Sequence, residues 1–132
     1  MLRILAALAL LFCCAAGPAR AQTPRPYDRA QIAPPYDGEL QRLAEILGAL
    51  HFLRRICGMH EGQKWRNEAQ ALIGAETLPG ERRERMIASF NRGYRAFAQS
   101  YHSCTPAANL VIRRYLQEGA RIAREITARY AN

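Results

Sequence analysis

The amino-acid sequence predicts an all-α protein, a small antiparallel bundle of four helices, one of them short, with one disulfide and a disordered N-terminal leader. From Asp37 onward, apolar residues recur at intervals of three and four, and no useful length of chain alternates with period two. Two of the four cysteines follow the leader. The 132 residues, 49% of them hydrophobic, suffice for one domain and exclude a wholly disordered chain.

The first 21 residues have the pattern of a secretory signal peptide. Arg3 precedes an apolar run that continues to about residue 16, and a small-residue cleavage site follows at residues 19–21. The run of roughly 13 residues is shorter than the ~20 that a membrane-spanning helix needs. We therefore expect cleavage between Ala21 and Gln22, and a mature protein that is periplasmic or secreted and has no transmembrane span.

The charge of the chain is strongly basic, with 19 Lys and Arg against 11 Asp and Glu. Two arginines and no acid lie in the signal segment, so its removal lowers the net charge from +8 to +6. The remaining arginines are interleaved with glutamates instead of forming one stripe, which argues against a nucleic-acid partner. A basic exported protein is expected to meet an acidic envelope protein, an acidic polymer or an anionic lipid surface.

Cys57 and Cys104 are the cysteines that remain after cleavage. In an oxidising compartment, two thiols in a small domain are expected to form one structural disulfide. A metal site built with His51, His60 and His102 is the alternative, and it is disfavoured because neither CxxC nor HxxxH spacing occurs. We expect no metal and no cofactor.

The leader and the first helix are distinguished by proline and by periodicity. Residues 22–36 contain four prolines and no helical period, which predicts a flexible tether before a helical domain at residues 37–132. A first helix is predicted at about residues 39–57, with Asp37 as its cap and an apolar arc that leaves Phe52 outside. Arg54 falls at the centre of that arc. The simpler expectation is that Arg54 extends to solvent, and a buried ion pair with Glu61 is the alternative.

Three further helices follow. A short second helix is predicted at about residues 61–73, and a third at about 81–102 has an apolar seam at steps of three and four: Ile87, Phe90, Tyr94, Phe97, Tyr101 and then Cys104. Thr105 followed by Pro106 predicts the capped start of a fourth helix that ends near residue 130. Gly93 and Gly119 lie on inward arcs, so we expect the third and fourth helices to cross there.

Two polar stretches, residues 57–66 and 90–97, interrupt the apolar pattern and supply the candidate partner surface: Glu61, Trp65, Arg66, Asn91, Arg92 and Arg95. Arginine offers planar, forked donors to anions and peptides. The simpler interpretation is that Trp65 anchors the core and the arginines form a solvated face. No catalytic residue is predicted, because the sequence contains no nucleophile elbow, phosphate loop, zinc-protease motif or free catalytic cysteine. An enzyme is therefore the less favoured class.

Four segments, GALHFLRRICG, EGQKWR, SFNRGYRAFAQSY and CTPAANLVIRRYLQEGARIA, resemble a family of small exported bacterial proteins known as a domain of unknown function, found mainly among alphaproteobacteria. The resemblance covers about residues 36–130 and implies a secreted helical domain. It carries no activity, ligand or catalytic residue onto this chain.

The leading functional hypothesis is a non-enzymatic periplasmic binding or interaction protein that uses an arginine-rich surface. A small periplasmic stress chaperone is one alternative, suggested by the disulfide-linked helical build and the mobile leader. An enzyme that acts on envelope polymers is another, and it would need His60, Glu61 and Arg66 to converge in one pocket.

Overall fold

A computed structural model describes residues 33–76 and 80–131 as four α-helices: α1 (Asp37–Ile56), α2 (Lys64–Ala75), α3 (Gly80–Ala98) and α4 (Pro106–Tyr130). This part of the chain contains no strand, and the predicted all-α fold with four helices is confirmed. No helix within it is long and apolar enough to cross a membrane. The expected signal peptide and residues 22–32 of the expected leader lie outside the described residues.

The boundaries of α2 and α3 differ from the prediction. α2 begins at Lys64, three residues late, because the preceding turn contains Gly58 and Gly62 at φ angles of 75° and 54°, where a helix cannot continue. α3 ends at Ala98, about one turn before the predicted end. Asp37 is the first residue of α1 instead of its cap, and its buried carboxylate accepts hydrogen bonds from Gln41 at 2.8 Å and Arg82 at 2.9 Å.

α1 is the central helix, and each of the other three packs against it. The prediction that Phe52 lies away from the core is wrong, since its side chain is 6% exposed and its ring meets the Tyr94 ring edge-on at 5.3 Å between centroids. A single apolar arc describes a helix with neighbours on one side only. α1 has neighbours on several sides, so its buried residues surround it: Leu40, Ala44, Ile46, Leu47, Gly48, Ala49, Leu50, Phe52 and Leu53.

The closest helix approach joins α1 to α3, and the predicted crossing of the third and fourth helices at glycine is wrong. A Cβ on Gly93 would lie 1.9 Å from the Glu45 carbonyl oxygen of α1, and one on Gly48 would lie 2.0 Å from the Phe90 carbonyl oxygen of α3. Gly119 of α4 also faces α1. The described parts of α3 and α4 keep their backbones apart and meet through side chains such as Phe97 and Tyr115, whose rings are 5.7 Å apart.

This approach also sets the register of α3. Met86, Ser89 and Gly93, at steps of three and four, are buried against the core, whereas Ile87, predicted to lie in the seam, is 42% exposed. The predicted seam therefore fails at its start. Small residues at the contact let the two backbones approach, and the aromatic residues of α3 lie half-buried on the flank.

The predicted disulfide is confirmed, with Cys57 and Cys104 joined and their Cα atoms 4.7 Å apart. It connects the end of α1 to the residue before the N-cap of α4. That cap is Thr105, whose side chain accepts a hydrogen bond from the Ala108 backbone at 3.1 Å. Nowhere in residues 33–76 and 80–131 does a group of three His, Cys, Asp or Glu side chains form a candidate metal site.

Candidate functional site

The six predicted surface residues separate into two groups in the structure. Glu61 and Trp65 belong to an internal contact at the corner between α1 and α2. The other four lie on the surface of α2 and α3: Arg66, Asn91, Arg92 and Arg95. Glu61 and Trp65 are therefore engaged in contacts within the bundle and remain only partly exposed.

The corner is built around a two-pronged ion pair. Arg54 donates from Nε and Nη2 to the two carboxylate oxygens of Glu61, and the Trp65 indole N–H donates to the same carboxylate. The Arg54 guanidinium also lies over the Trp65 ring, 5.3 Å from its centroid. The expectation that Arg54 extends to solvent is wrong, because its side chain is only 17% exposed and pairs with Glu61.

This arrangement shifts the pKa of both charged groups. Hydrogen bonds from Arg54, assisted by the Trp65 N–H and opposed by burial, lower the pKa of Glu61 to about 2. The same hydrogen bonds raise the pKa of Arg54. Both carboxylate oxygens of Glu61 thus accept hydrogen bonds from within the protein, and the carboxyl group stays ionised at neutral pH.

The outer face of α3 forms a shallow groove of about 490 Å³, lined by Ala88, Asn91, Arg92, Arg95, Ala96 and Gln99. Arg92 is partly neutralised, since it donates to Glu45 at 3.1 Å and to Ser89 at 3.3 Å. Arg95 forms no ion pair with any described residue. Arg92 and Arg95 are both exposed, which agrees with the interpretation that the arginines form a solvated face.

A second, narrower cleft of about 260 Å³ lies between α2 and α3. Its polar lining is Arg66, Gln70, Arg83 and Asn91, and its apolar lining is Ala69, Ile73, Ile87 and Phe90. Neither arginine forms an ion pair within the described part of the chain. The cleft and the groove adjoin at Asn91, which lines both, and together they are called the α2–α3 surface.

His51 of α1 lies beside this cleft. Its ring is 6.0 Å from the Phe90 ring and 5.9 Å from the Tyr94 ring, between centroids. Its Nδ1 is buried and has no hydrogen-bond partner among the described residues. Burial lowers the pKa of His51, and the positive charges of Arg55 and Arg66 lower it further. The positive field of Arg66 therefore acts on the interior side of the cleft.

Seven arginines in the described residues, Arg54 and Arg92 among them, form ion pairs with acids. Arg42 binds both oxygens of Glu118, at 2.8 and 3.0 Å, which lowers the pKa of Glu118. The remaining pairs are Arg82 with Asp37 and Glu76, Arg85 with Glu81, Arg121 with Glu125, and Arg129 with Glu39 and Glu125. Arg55, Arg113, Arg114 and Arg124 also form no ion pair with a described residue, so what distinguishes Arg66, Arg83 and Arg95 is that they line the cleft or the groove as well.

Sequence reasoning missed Arg83. Arg83 lies in the first turn of α3 and lines the cleft together with Ile87, four residues later. The signal was present as one stripe of α3 that carries arginine, isoleucine, phenylalanine and asparagine at residues 83, 87, 90 and 91. The enzyme alternative requires His60, Glu61 and Arg66 to converge in one pocket. His60 is exposed, and of these three residues only Arg66 lines the cleft.

Comparison with known proteins identifies the chain at the level of a family. Searches of the curated proteins and of the solved structures find no match. The resemblance of the four sequence segments to a domain of unknown function is confirmed by a family model that covers both cysteines and all of the surface described above. Since that model, described as "Protein of unknown function (DUF2385)", matches residues 35–130, the chain belongs to this family.

Proposed function

We propose that this protein is a non-enzymatic binding protein of the periplasm that takes an acidic partner on the α2–α3 surface. The observation that carries the proposal is the set of three arginines there without an ion pair in the described residues: Arg66, Arg83 and Arg95. An incoming carboxylate or phosphate would not have to displace an internal partner from them. Arginine binds such groups through two parallel hydrogen bonds, which favours a defined site over general attraction.

The chemistry of the surface indicates what the partner must offer. The α3 groove is wide and shallow, and its alanines leave the long arginine side chains accessible from solvent. A shallow basic groove suits an acidic protein segment or an acidic envelope polymer. Because the arginines are exposed, the interaction should weaken with salt, the Debye length falling from about 10 Å at 0.1 M to about 3 Å at 1 M ionic strength.

Matched variants test the site. The double variant R66Q/R95Q removes two charges from the α2–α3 surface, and R113Q/R124Q removes two from exposed positions of α4. We expect wild type and the α4 variant to co-purify with an envelope component at low salt and release it at high salt, and the α2–α3 variant to recover none. Equal loss in both variants would refute a dedicated surface, as would a partner indifferent to salt.

Periplasmic location is part of the proposal and has its own test. The disulfide supports an oxidising compartment. Fractionation of cells should place the protein outside the cytoplasm, and N-terminal sequencing should begin at Gln22. An intact Met1 on the isolated protein, together with four free thiols, would contradict export.

A further inference from the structure

We infer that the α2–α3 cleft binds one small organic anion, a carboxylate joined to a short apolar body. The carboxylate lies between Arg66 and Arg83, and the apolar body lies against Ile73, Ile87 and Phe90. This inference goes beyond the acidic macromolecular partner proposed above, and it concerns only the cleft.

Charge complementarity selects an anion. Arg66 extends from α2 and Arg83 from α3, both line the cleft, and neither has an acid partner in the described ranges. A carboxylate offers two oxygens and can accept hydrogen bonds from two guanidinium groups at once. α2 packs mainly on α1 and touches α3 lightly, so an anion held by both arginines would also connect these two helices.

The apolar lining selects an amphipathic ligand over a bare ion. Ile87 is one of the few large apolar side chains that the fold leaves exposed, at 42%, and it lies inside the cleft. Ile73 is buried at the floor, and Phe90 is half-buried. A ligand that covers Ile87 removes apolar surface from water, which an inorganic anion does not do.

The size of the cleft limits that apolar body. Its volume of about 260 Å³ lies just below the ~300 Å³ at which sites for drug-sized ligands begin. A short chain or a single branched side chain fits this space, and a long acyl chain or a sugar polymer does not.

The interior side of the cleft agrees with an anionic ligand. His51 packs beside Phe90, and burial lowers its pKa, assisted by the positive charges of Arg55 and Arg66. Neither arginine forms an ion pair with any described residue. A cationic ligand would meet the same repulsion.

Hexanoate is the probe, added to the oxidised chain that begins at Gln22 and followed by NMR shifts of the cleft residues. Three control compounds are compared with hexanoate. Acetate has the carboxylate without the apolar chain, 1-hexanol has the apolar chain without a charge, and hexylamine has the apolar chain with a positive charge. We expect hexanoate to bind saturably and at least ten-fold more tightly than any of the three. Equal binding of acetate would overturn the inference, as would the absence of hexanoate binding at tens of millimolar.

Variants locate the site. R66Q and R83Q should each weaken hexanoate about ten-fold, the effect of losing a hydrogen bond to a charged group. I87S should also weaken hexanoate but leave the weak binding of acetate unchanged. R113Q, a matched change on α4, should bind hexanoate like wild type, and equal weakening by R113Q would refute the cleft as the site. Circular dichroism of each variant confirms that it is folded.

Binding of two ligands is compared to distinguish the source of the carboxylate. The first is hexanoate, and the second is a pentapeptide that ends in leucine with a free carboxylate, compared with its C-terminal amide. Tighter binding of the free-acid peptide assigns the cleft to a protein C-terminus, and tighter binding of hexanoate assigns it to a small amphiphile. Neither measurement involves the acidic envelope partner proposed above, so hexanoate binding stands even if R66Q/R95Q leaves co-purification unchanged.

Discussion

Replacement of Glu61 by glutamine tests whether the Arg54–Glu61 pair holds α2 to the end of α1. Glutamine keeps the size of the side chain and one acceptor oxygen but removes the charge. Hydrogen bonds from Arg54 lower the pKa of Glu61 from 4.5 to about 2, which at 1.36 kcal/mol per unit sets an upper limit of ~3 kcal/mol. The Glu61 side chain is 23% exposed and solvent screens the pair, so we expect E61Q to lose about 1–2 kcal/mol at pH 7.

The sign of the pH dependence follows from the direction of this shift. A carboxyl group whose pKa is lower in the folded than in the unfolded protein stabilises the fold when it is ionised. The contribution of Glu61 is complete above pH 4.5 and disappears as the pH falls to about 2. The free energies of unfolding of wild type and E61Q, measured by urea titration under circular dichroism, should therefore differ at pH 7 and converge toward pH 2.

A matched variant separates this effect from the loss of any surface charge. Glu81 pairs with Arg85 at 3.5 Å in the first turn of α3, and its side chain is 85% exposed. E81Q should cost less than about 0.5 kcal/mol at every pH. A gap between wild type and E61Q that is the same at pH 7 and pH 2.5, or no larger than that of E81Q, would refute the reasoning.

Three further predictions concern stability and are measured by thermal or chemical unfolding. G93A should cost about 3 kcal/mol or more, because its Cβ would collide with the α1 backbone, whereas G74A meets nothing within 4 Å and should stabilise α2 by up to ~1 kcal/mol. M86A should cost about 2–5 kcal/mol because the Met86 side chain is fully buried, and I87A should cost less than ~1 kcal/mol because Ile87 is exposed. A larger loss of stability in I87A than in M86A would instead support the predicted apolar seam that begins at Ile87. Reduction of the disulfide, which spans 47 positions, should cost about 4 kcal/mol in the chain-entropy model, and unchanged stability would contradict that account.

The sequence predicts the elements of this fold better than their packing. Periodicity and the Thr105–Pro106 signal located all four helices, and the count of retained cysteines identified the disulfide. Packing depends on which helix lies in the middle, and one apolar arc per helix does not carry that information. α1 is surrounded, which is why Phe52 is buried.

The α1–α3 contact shows why a hydrophobic seam was insufficient. The two backbones approach at Gly48 and Gly93, and the residue that α3 buries one turn earlier is Ser89. The α1 and α3 backbones approach closely because the glycines have no side chains, whereas the seam was predicted from the positions of large apolar residues. A stripe of small residues would have been the better guide, and it would have placed Ile87 outside.

The candidate surface was partly predictable for the same reason. Helical phase alone places Arg92 and Arg95 outward. Whether an arginine is neutralised depends on an acid that is distant in sequence, as Glu118 is from Arg42, 76 positions away. Arg54 and Glu61 are only seven residues apart across a turn, and their ion pair could therefore be named from the sequence as an alternative.

The covalent link between Cys57 and Cys104 has a consequence for proteolysis. A single backbone cut anywhere between these residues produces two fragments, one with α1 and the other with α4, and the disulfide keeps them in one molecule. The fragments would also stay packed, because α1 supplies the contacts for every other helix. A nicked protein should therefore migrate as one species until its disulfide is reduced.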